Sequence, residues 1–276
     1  MLRGLMLIVG AAIAVYVCYL ALLFLQQRSV MFPGSTTDAF GVGLTPPERS
    51  ETVLIPASFG NVQGVLLPAR TDRRRAPAVL YFHGNAEFVD DSLHMLEPLT
   101  AMGVHVLAIE YPGYAGSAGS PSQESLDEAA RAGYDWLARR PDVDPARIAA
   151  IGRSIGTGPA SALSRQRPVR ALVLLAPFAS IDDFARSLGA PAFIARDRYD
   201  NVARLRGFRR PVLIFHGRSD EVIPYRHSEI LLKAAPDATL VPLECGHNDC
   251  PFFTPPSMQR LRQFFTQAGM FEAGTN

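Results

Sequence analysis

The sequence predicts an open α/β sheet, mostly parallel, with helices on both faces and one apolar helix ahead of it. Three observations carry this. Beyond residue 50, eight short apolar runs alternate with longer helical patterns. Most of those runs are unbroken blocks of Val, Ile, Leu and Ala, as in strands buried on both faces. The start of the chain holds a long apolar block unlike anything later.

That block comes first. No charge lies between Arg3 and Arg28, and residues 5–25 are nearly all Leu, Ile, Val, Ala and Phe. As a helix they rise about 31 Å, the thickness of a bilayer hydrocarbon core. A helix apolar on every side is a poor fit to a globular core. A cleaved signal peptide should end in a small-x-small site, whereas the flank reads Gln26-Gln27-Arg28-Ser29-Val30-Met31. A retained single-pass transmembrane anchor over 1–28 is therefore expected. Arg3 on one side and Arg28 and Arg49 on the other leave its orientation open. Gly10 and Ala14 form a small-xxx-small pair through which two anchors would be able to pack.

Residues 29–49 turn to Gly, Pro, Thr and Ser and read as a linker. One globular domain is expected over 50–276. Its strands fall at 51–55, 62–67, 78–82, 104–109, 147–151, 171–175, 212–215 and 239–243, and its helices at 92–102, 122–140, 156–166, 227–235 and 256–268. Arg73-Arg74-Arg75, ahead of the third strand, reads as a solvated turn.

Composition agrees with one domain. The 276 residues are 48% apolar and 19% charged, which excludes a disordered chain. Lys and Arg total 27 against 26 Asp and Glu, so the net charge of +1 gives no bulk electrostatic reason to seek nucleic acid. Three cysteines are too few for a secreted disulfide framework.

Ligands of such sheets bind at the carboxyl ends of the strands, and the unusual residues fall there. The fifth strand leads into Gly152-Arg153-Ser154-Ile155-Gly156, with a helix beyond. In this G-x-S-x-G setting the serine sits on a sharp, strained turn that lifts its hydroxyl out of the sheet, and a side chain at 152 or 156 would crowd it. Ser154 is the candidate nucleophile. Ala115-Gly116-Ser117-Ala118-Gly119 looks similar but lies in a Gly-rich loop with no strand running into it.

A serine hydroxyl needs a base. His247 follows the last strand in Cys245-Gly246-His247-Asn248-Asp249, with glycine beside it. His216 also closes a strand, but Asp220, four residues on, is the more useful group there. It would accept the ring N–H of His247 and fix its tautomer. Asp249 is the second candidate acid, so near the histidine that turn formation suits it better. The oxyanion needs two aimed N–H donors. Ile155 supplies one, and the other comes from His83-Gly84-Asn85-Ala86 after the third strand, with Asn85 preferred over Ala86. His83 itself reads as structural.

Cys245 and Cys250 flank His247 and Asp249 at no recognised zinc spacing. A disulfide clamping the histidine loop is a further hypothesis, which the sequence leaves open and which would need an oxidising compartment. No phosphate loop, dinucleotide fingerprint or H-E-x-x-H motif occurs, so neither a cofactor nor a metal is inferred.

With these motifs in hand, the chain resembles the α/β-hydrolase family, in particular its single-pass membrane-anchored branch related to serine aminopeptidase-like hydrolases and acyl-protein depalmitoylases. The matching residues are His83-Gly84-Asn85-Ala86, Glu110-Tyr111-Pro112-Gly113-Tyr114, Gly152-Arg153-Ser154-Ile155-Gly156, His216-Gly217-Arg218-Ser219-Asp220 with Ile223-Pro224, and Gly246-His247-Asn248-Asp249. The resemblance spans roughly residues 50–270 and implies a mostly parallel eight-stranded sheet with Ser154, Asp220 and His247 as the catalytic triad. The depalmitoylases are tethered by an N-terminal cluster of lipidated cysteines, where this chain has an apolar helix.

Between the sixth and seventh strands, 177–210 leaves room for about one helix and some loop. A large cap does not fit, so an open site is expected. Phe178, Phe184, Leu188, Phe193 and Tyr199 in this insert either pack it onto the sheet or line an acyl groove. The expected function is hydrolysis of carboxylic esters or thioesters by a membrane-anchored serine hydrolase, on small-molecule or lipid-like acyl substrates. A peptidase or amidase using the same triad and a non-catalytic tethered scaffold are the alternatives.

Overall fold

The protein is described here as a computed structural model covering residues 2–36 and 46–271. Residues 37–45, most of the expected linker, and 272–276, the end of the expected domain, lie outside the described residues. The chain begins with α1 (Leu2–Met31). A hairpin of β1 (Glu51–Ala57) and β2 (Gly60–Leu67) follows. Strands and helices then alternate: β3 (Ala76–Phe82), α2 (Val89–Ala101), β4 (His105–Ile109), α3 (Gln123–Ala138), β5 (Val143–Arg153) and α4 (Thr157–Gln166). After β6 (Leu172–Leu175) come two short helices, α5 (Ile181–Ser187) and α6 (Asn201–Arg206). The chain closes with β7 (Val212–Gly217), α7 (Arg226–Ala234), β8 (Ala238–Leu243) and α8 (Pro255–Gln267).

One eight-stranded sheet runs in the order β1-β2-β4-β3-β5-β6-β7-β8. The β1–β2 and β2–β4 pairs are antiparallel, and every pair from β4 to β8 is parallel. All eight strands fall where the apolar runs predict them. β3, β4, β6 and β7 are buried at every position, because helices cover both faces. β1 and β8 are partly exposed, being the two edges of the sheet. The two-residue period of the strands sends alternate side chains to opposite cores. Ala78, Leu80 and Phe82 meet α3 and α4 on one face, through Leu126, Ala130 and Leu163. Val79 and Tyr81 meet α2 and α8 on the other, through Leu93, Leu96 and Phe265.

Two regions differ from expectation. The insert holds two helices and a 3₁₀ turn at Ala192–Ile194, rather than one helix and loop. Its Phe178 and Tyr199 are buried in the core and Phe184 packs against it, while Leu188 and Phe193 are exposed. The N-terminal helix also runs on to Met31, past the expected end of the anchor. Long-range partners explain the extension. The Arg28 guanidinium bonds both oxygens of buried Asp197, at 2.7 and 3.0 Å. Gln27 donates to Ile194 O (3.1 Å) and accepts from Arg196 N (2.7 Å). Higher on the helix, Tyr16 and Tyr19 donate to Gly189 O (2.8 Å) and Leu188 O (2.7 Å). Beyond Met31, Phe32 is fully buried, and Gly34 lies so close to the Tyr114 ring that a Cβ there would overlap it.

Candidate active site

β5 ends at Arg153, and the chain turns through a 3₁₀ segment, Ser154–Gly156, into α4. Ser154 has φ 51°, a left-handed conformation that is costly for any residue with a Cβ. Both flanking glycines are demanded by close approach. A Cβ on Gly152 would lie 2.3 Å from Gly156 O, and one on Gly156 would lie 2.3 Å from Phe82 O and 2.7 Å from His83 O. The turn is thus pressed onto the end of β3, where the loop 83–86 begins.

Three residues expected to act together meet at this rim. Ser154 Oγ lies 3.1 Å from His247 Nε2, and His247 Nδ1 lies 2.7 Å from Asp220 Oδ2. The Nδ1–H donates to the carboxylate, which leaves the Nε2 lone pair facing the serine hydroxyl. Asp220 Oδ1 accepts the backbone N–H groups of Val222 (2.9 Å) and Ile223 (2.7 Å). His216 approaches the same carboxylate, with Nε2 3.2 Å from Oδ2. Its Nε2–H also donates to Ile223 O (2.8 Å), while Nδ1 accepts from the Ser228 hydroxyl (2.5 Å). Burial alone would raise the Asp220 pKa. The hydrogen bonds from His216, His247 and Ile223 outweigh it and hold the carboxyl below the usual carboxylate range. Ser154, Asp220 and His247 are each 7–8% exposed, so the group sits just beneath the surface.

The loop carrying His247 is tied at both ends. Cys245 and Cys250 form a disulfide across it. Asp249 Oδ1 accepts Gly246 N–H (2.7 Å), a backbone turn rather than a contact with the histidine ring. Glu221 Oε2 accepts the N–H of His247 (3.3 Å). Gly217 permits the loop to lie close, since a Cβ there would be 2.4 Å from Cys245 O.

The loop 83–86 is braced from several sides. Glu87 accepts Gly84 N–H (2.8 Å) and pairs with Arg153, the residue before Ser154. Tyr111 donates to His83 O (2.5 Å) and Tyr114 donates to Asn85 O (2.9 Å). Burial raises the pKa of the Tyr114 hydroxyl, which keeps it a donor. The His83 ring is fully buried, stacks on Tyr111 at 3.9 Å, and reaches Glu110 Oε1 at 3.0 Å, a structural placement. Ser117 braces a loop, accepting Gln63 N–H (2.8 Å) and donating to Glu110 O (3.1 Å). Sequence reasoning missed Glu87, Arg153 and Tyr114. The signals were an acid two residues after Asn85 and an arginine inside the pentapeptide, but their pairing is set only by the fold.

No family model matches the chain. It is 33% identical over 255 residues to the uncharacterized protein Rv2307c of Mycobacterium tuberculosis, covering 89% of each. It is 31% identical over 195 residues to the alpha/beta hydrolase domain-containing protein WAV2 of Arabidopsis thaliana, covering 62% of this chain and 63% of that one. The chain belongs to the α/β-hydrolase family. A further relative, the lysophosphatidylserine lipase ABHD12 of Xenopus tropicalis, is 30% identical over 185 residues, covering 59% of this chain and 47% of that protein. The solved structure of Est1E from Butyrivibrio proteoclasticus superposes with a TM-score of 0.67 at 18% identity, covering 80% of this chain and 99% of its own. That match concerns the α/β-hydrolase fold.

Proposed function

We propose that this chain is a membrane-anchored serine hydrolase that cleaves carboxylic ester or thioester bonds of acyl substrates through an acyl-enzyme. Ser154 is the nucleophile, His247 the general base and then acid, and Asp220 the group that orients His247. The observation that carries this reading is the unbroken chain of contacts from Asp220 through His247 to a serine held at positive φ.

The chemistry follows from that chain. His247 Nε2 takes the Ser154 proton as Oγ attacks the acyl carbon, and the imidazolium that forms is stabilised by Asp220. The developing oxyanion accepts the backbone N–H groups of Ile155 and Asn85. The proton on Nε2 passes to the departing alcohol or thiol. A water deprotonated by His247 then attacks the acyl carbon, the bond to Oγ breaks as Nε2 returns its proton to Ser154, and the acid is released. The imidazole's second partner is already a carboxylate, and Asp220 Oδ1 is held by two N–H groups, so the relay needs no rearrangement.

The division proposed is an anchor over 1–28, a connecting segment over 29–49 and the hydrolase domain over 50–276, with the insert at 177–210. Helix α1 is long and apolar enough to cross a membrane. Its retention is supported by Phe32, buried in the core directly beyond the helix, and by the bonds of Tyr16, Tyr19, Gln27 and Arg28 to the insert. An acyl substrate is supported by the relative from Xenopus tropicalis, a lysophosphatidylserine lipase.

The full chain in detergent should react with a fluorophosphonate probe and hydrolyse p-nitrophenyl esters. Ser154→Ala should abolish both, and His247→Ala should lower kcat by roughly 10⁴-fold or more, as for triads generally. Undiminished labelling of Ser154→Ala would remove the assignment.

A further inference from the structure

The contacts between α1 and the insert set a constraint on how the protein sits in a bilayer. Tyr16 is bonded to Gly189 O, so the insert reaches up the helix to that level. Only residues 2–15 rise clear of it, about 21 Å of helix. A hydrocarbon core is about 30 Å thick. A spanning α1 therefore carries the tip of the insert at least about 9 Å below the hydrocarbon surface, at or beyond the deep end of the range of about 5–10 Å reached by interfacial elements.

The tip is apolar at its extremity, and the exposed Arg186 beside it is paired with Asp183 at 2.6 Å. Leu188 and Phe193 are 55% and 79% exposed, and both are apolar. Irregular backbone in lipid is excluded unless its polar groups are paired. Here the N–H groups of Leu188, Gly189, Ala190, Ile194 and Ala195 bond to carbonyls within the insert. The carbonyls of Leu188 and Gly189 are taken by the hydroxyls of Tyr19 and Tyr16. Arg196 lies over the Phe24 ring at 5.4 Å. Phe24 is about 12 Å further along the helix than Tyr16, which puts this exposed guanidinium at about the hydrocarbon boundary, within reach of the headgroups.

Between α1 and the insert runs an apolar crevice of about 190 Å³, walled by Leu23, Val30, Met31, Ile181, Ala185 and Ile194. Its polar lining is Gln26 and Gln27, and the Gln27 amide is already bonded to the insert. The volume is small beside the roughly 300–1,000 Å³ of whole-ligand pockets, so it takes a length of single chain and not a headgroup. Met31 and Ile181 pack on the same apolar cluster as Ile155, the neighbour of Ser154.

We propose that the insert tip at Leu188 and Phe193 dips into the bilayer, and that the crevice between α1 and the insert binds an acyl chain of a membrane phospholipid drawn laterally from that bilayer. This rests on the anchored acyl-hydrolase reading above and names its substrate class. The test uses the full chain in phosphatidylcholine vesicles, in a Trp136→Phe background that removes the single native tryptophan. With Phe193→Trp, the indole should lose fluorescence to lipids brominated on the acyl chain and resist aqueous iodide. Leu188→Trp gives the same readout should the first variant fold poorly. A phosphatidylcholine carrying a diazirine on its acyl chain should form adducts at crevice residues of both α1 and the insert. Iodide quenching without bromolipid quenching overturns the proposal, as do adducts confined to residues 2–15 or cross-links between two copies of α1 in place of lipid adducts. Fluorophosphonate labelling of the same vesicles reads the hydrolase assignment separately. Labelling that persists while the lipid readouts fail removes this inference alone.

Discussion

At the rim where β3, β5, β7 and β8 end, the backbone itself sets positions. Gly152, Gly156 and Gly217 let main chain approach main chain to distances that no Cβ tolerates, and a disulfide closes the loop around His247. Where α1 meets the insert, long side chains do the holding instead: two tyrosine hydroxyls, one glutamine amide and the Arg28–Asp197 pair. The first arrangement is stiff and intolerant of substitution. The second spreads its hold over separable contacts, each of modest strength, along a face that is otherwise apolar. On the reading proposed above, stiffness belongs where atoms must stay within reach of a proton transfer, and replaceable contacts suit an edge proposed to lie among lipids.

The sharpest way to break the contrast is Gly156→Ala. The added methyl would meet Phe82 O and His83 O, so the turn must move. Destabilisation of about 1–3 kcal/mol is expected, with a loss of roughly 10²-fold in kcat/KM from a displaced nucleophile. Wild-type melting temperature and ester turnover would contradict the picture of a rim set by backbone contact. Next comes Glu87→Gln, which weakens the brace between Gly84 and Arg153. A fall in kcat of about tenfold, near 1.4 kcal/mol, with KM little changed, is the signature of a misaligned oxyanion loop. A rise in KM alone would point elsewhere.

Arg28→Ala probes the other region. Asp197 would keep only the Gln123 N–H (2.7 Å) among its described partners, and a stability loss of about 1 kcal/mol is expected in thermal melts. Mild acid should produce the smallest effect. His227 Nδ1 accepts Ala179 N–H (3.1 Å) and His105 Nδ1 accepts Ala69 N–H (3.2 Å), so each folded ring is neutral at that nitrogen. Burial is the leading cause that lowers both pKa values. The unfolded chain therefore takes up protons first. Stability is complete above the ordinary histidine value of about 6.5 and declines as pH falls through the folded values. Melting at pH 7.5 and 5.5 should differ, and His227→Gln should flatten the difference. Asp220, displaced downward, holds its contribution until far more acidic pH.

The same contrast explains what could be read before folding. The eight strands were legible because their apolar runs are local and continuous. The meeting of Ser154, Asp220 and His247 at one rim was legible because the glycines announce the turn at Ser154 and the other two residues each follow a strand. The helices α5 and α6 were not, since Ile181–Ser187 and Asn201–Arg206 are too short to display a period. The hold on the last turns of α1 comes from Asp197, and the grip on loop 83–86 from Arg153, through Glu87, and from Tyr114. Those partners lie far off in sequence, where no pattern along the chain connects them.

The bond between Cys245 and Cys250 also gives the molecule a sidedness. Cytosolic thiol pools keep such pairs reduced, so under the anchored reading proposed above a bridged His247 loop would call for an oxidising compartment, the exterior or periplasmic side. A helix that crosses once would then leave Arg3 and the amino terminus on the interior side.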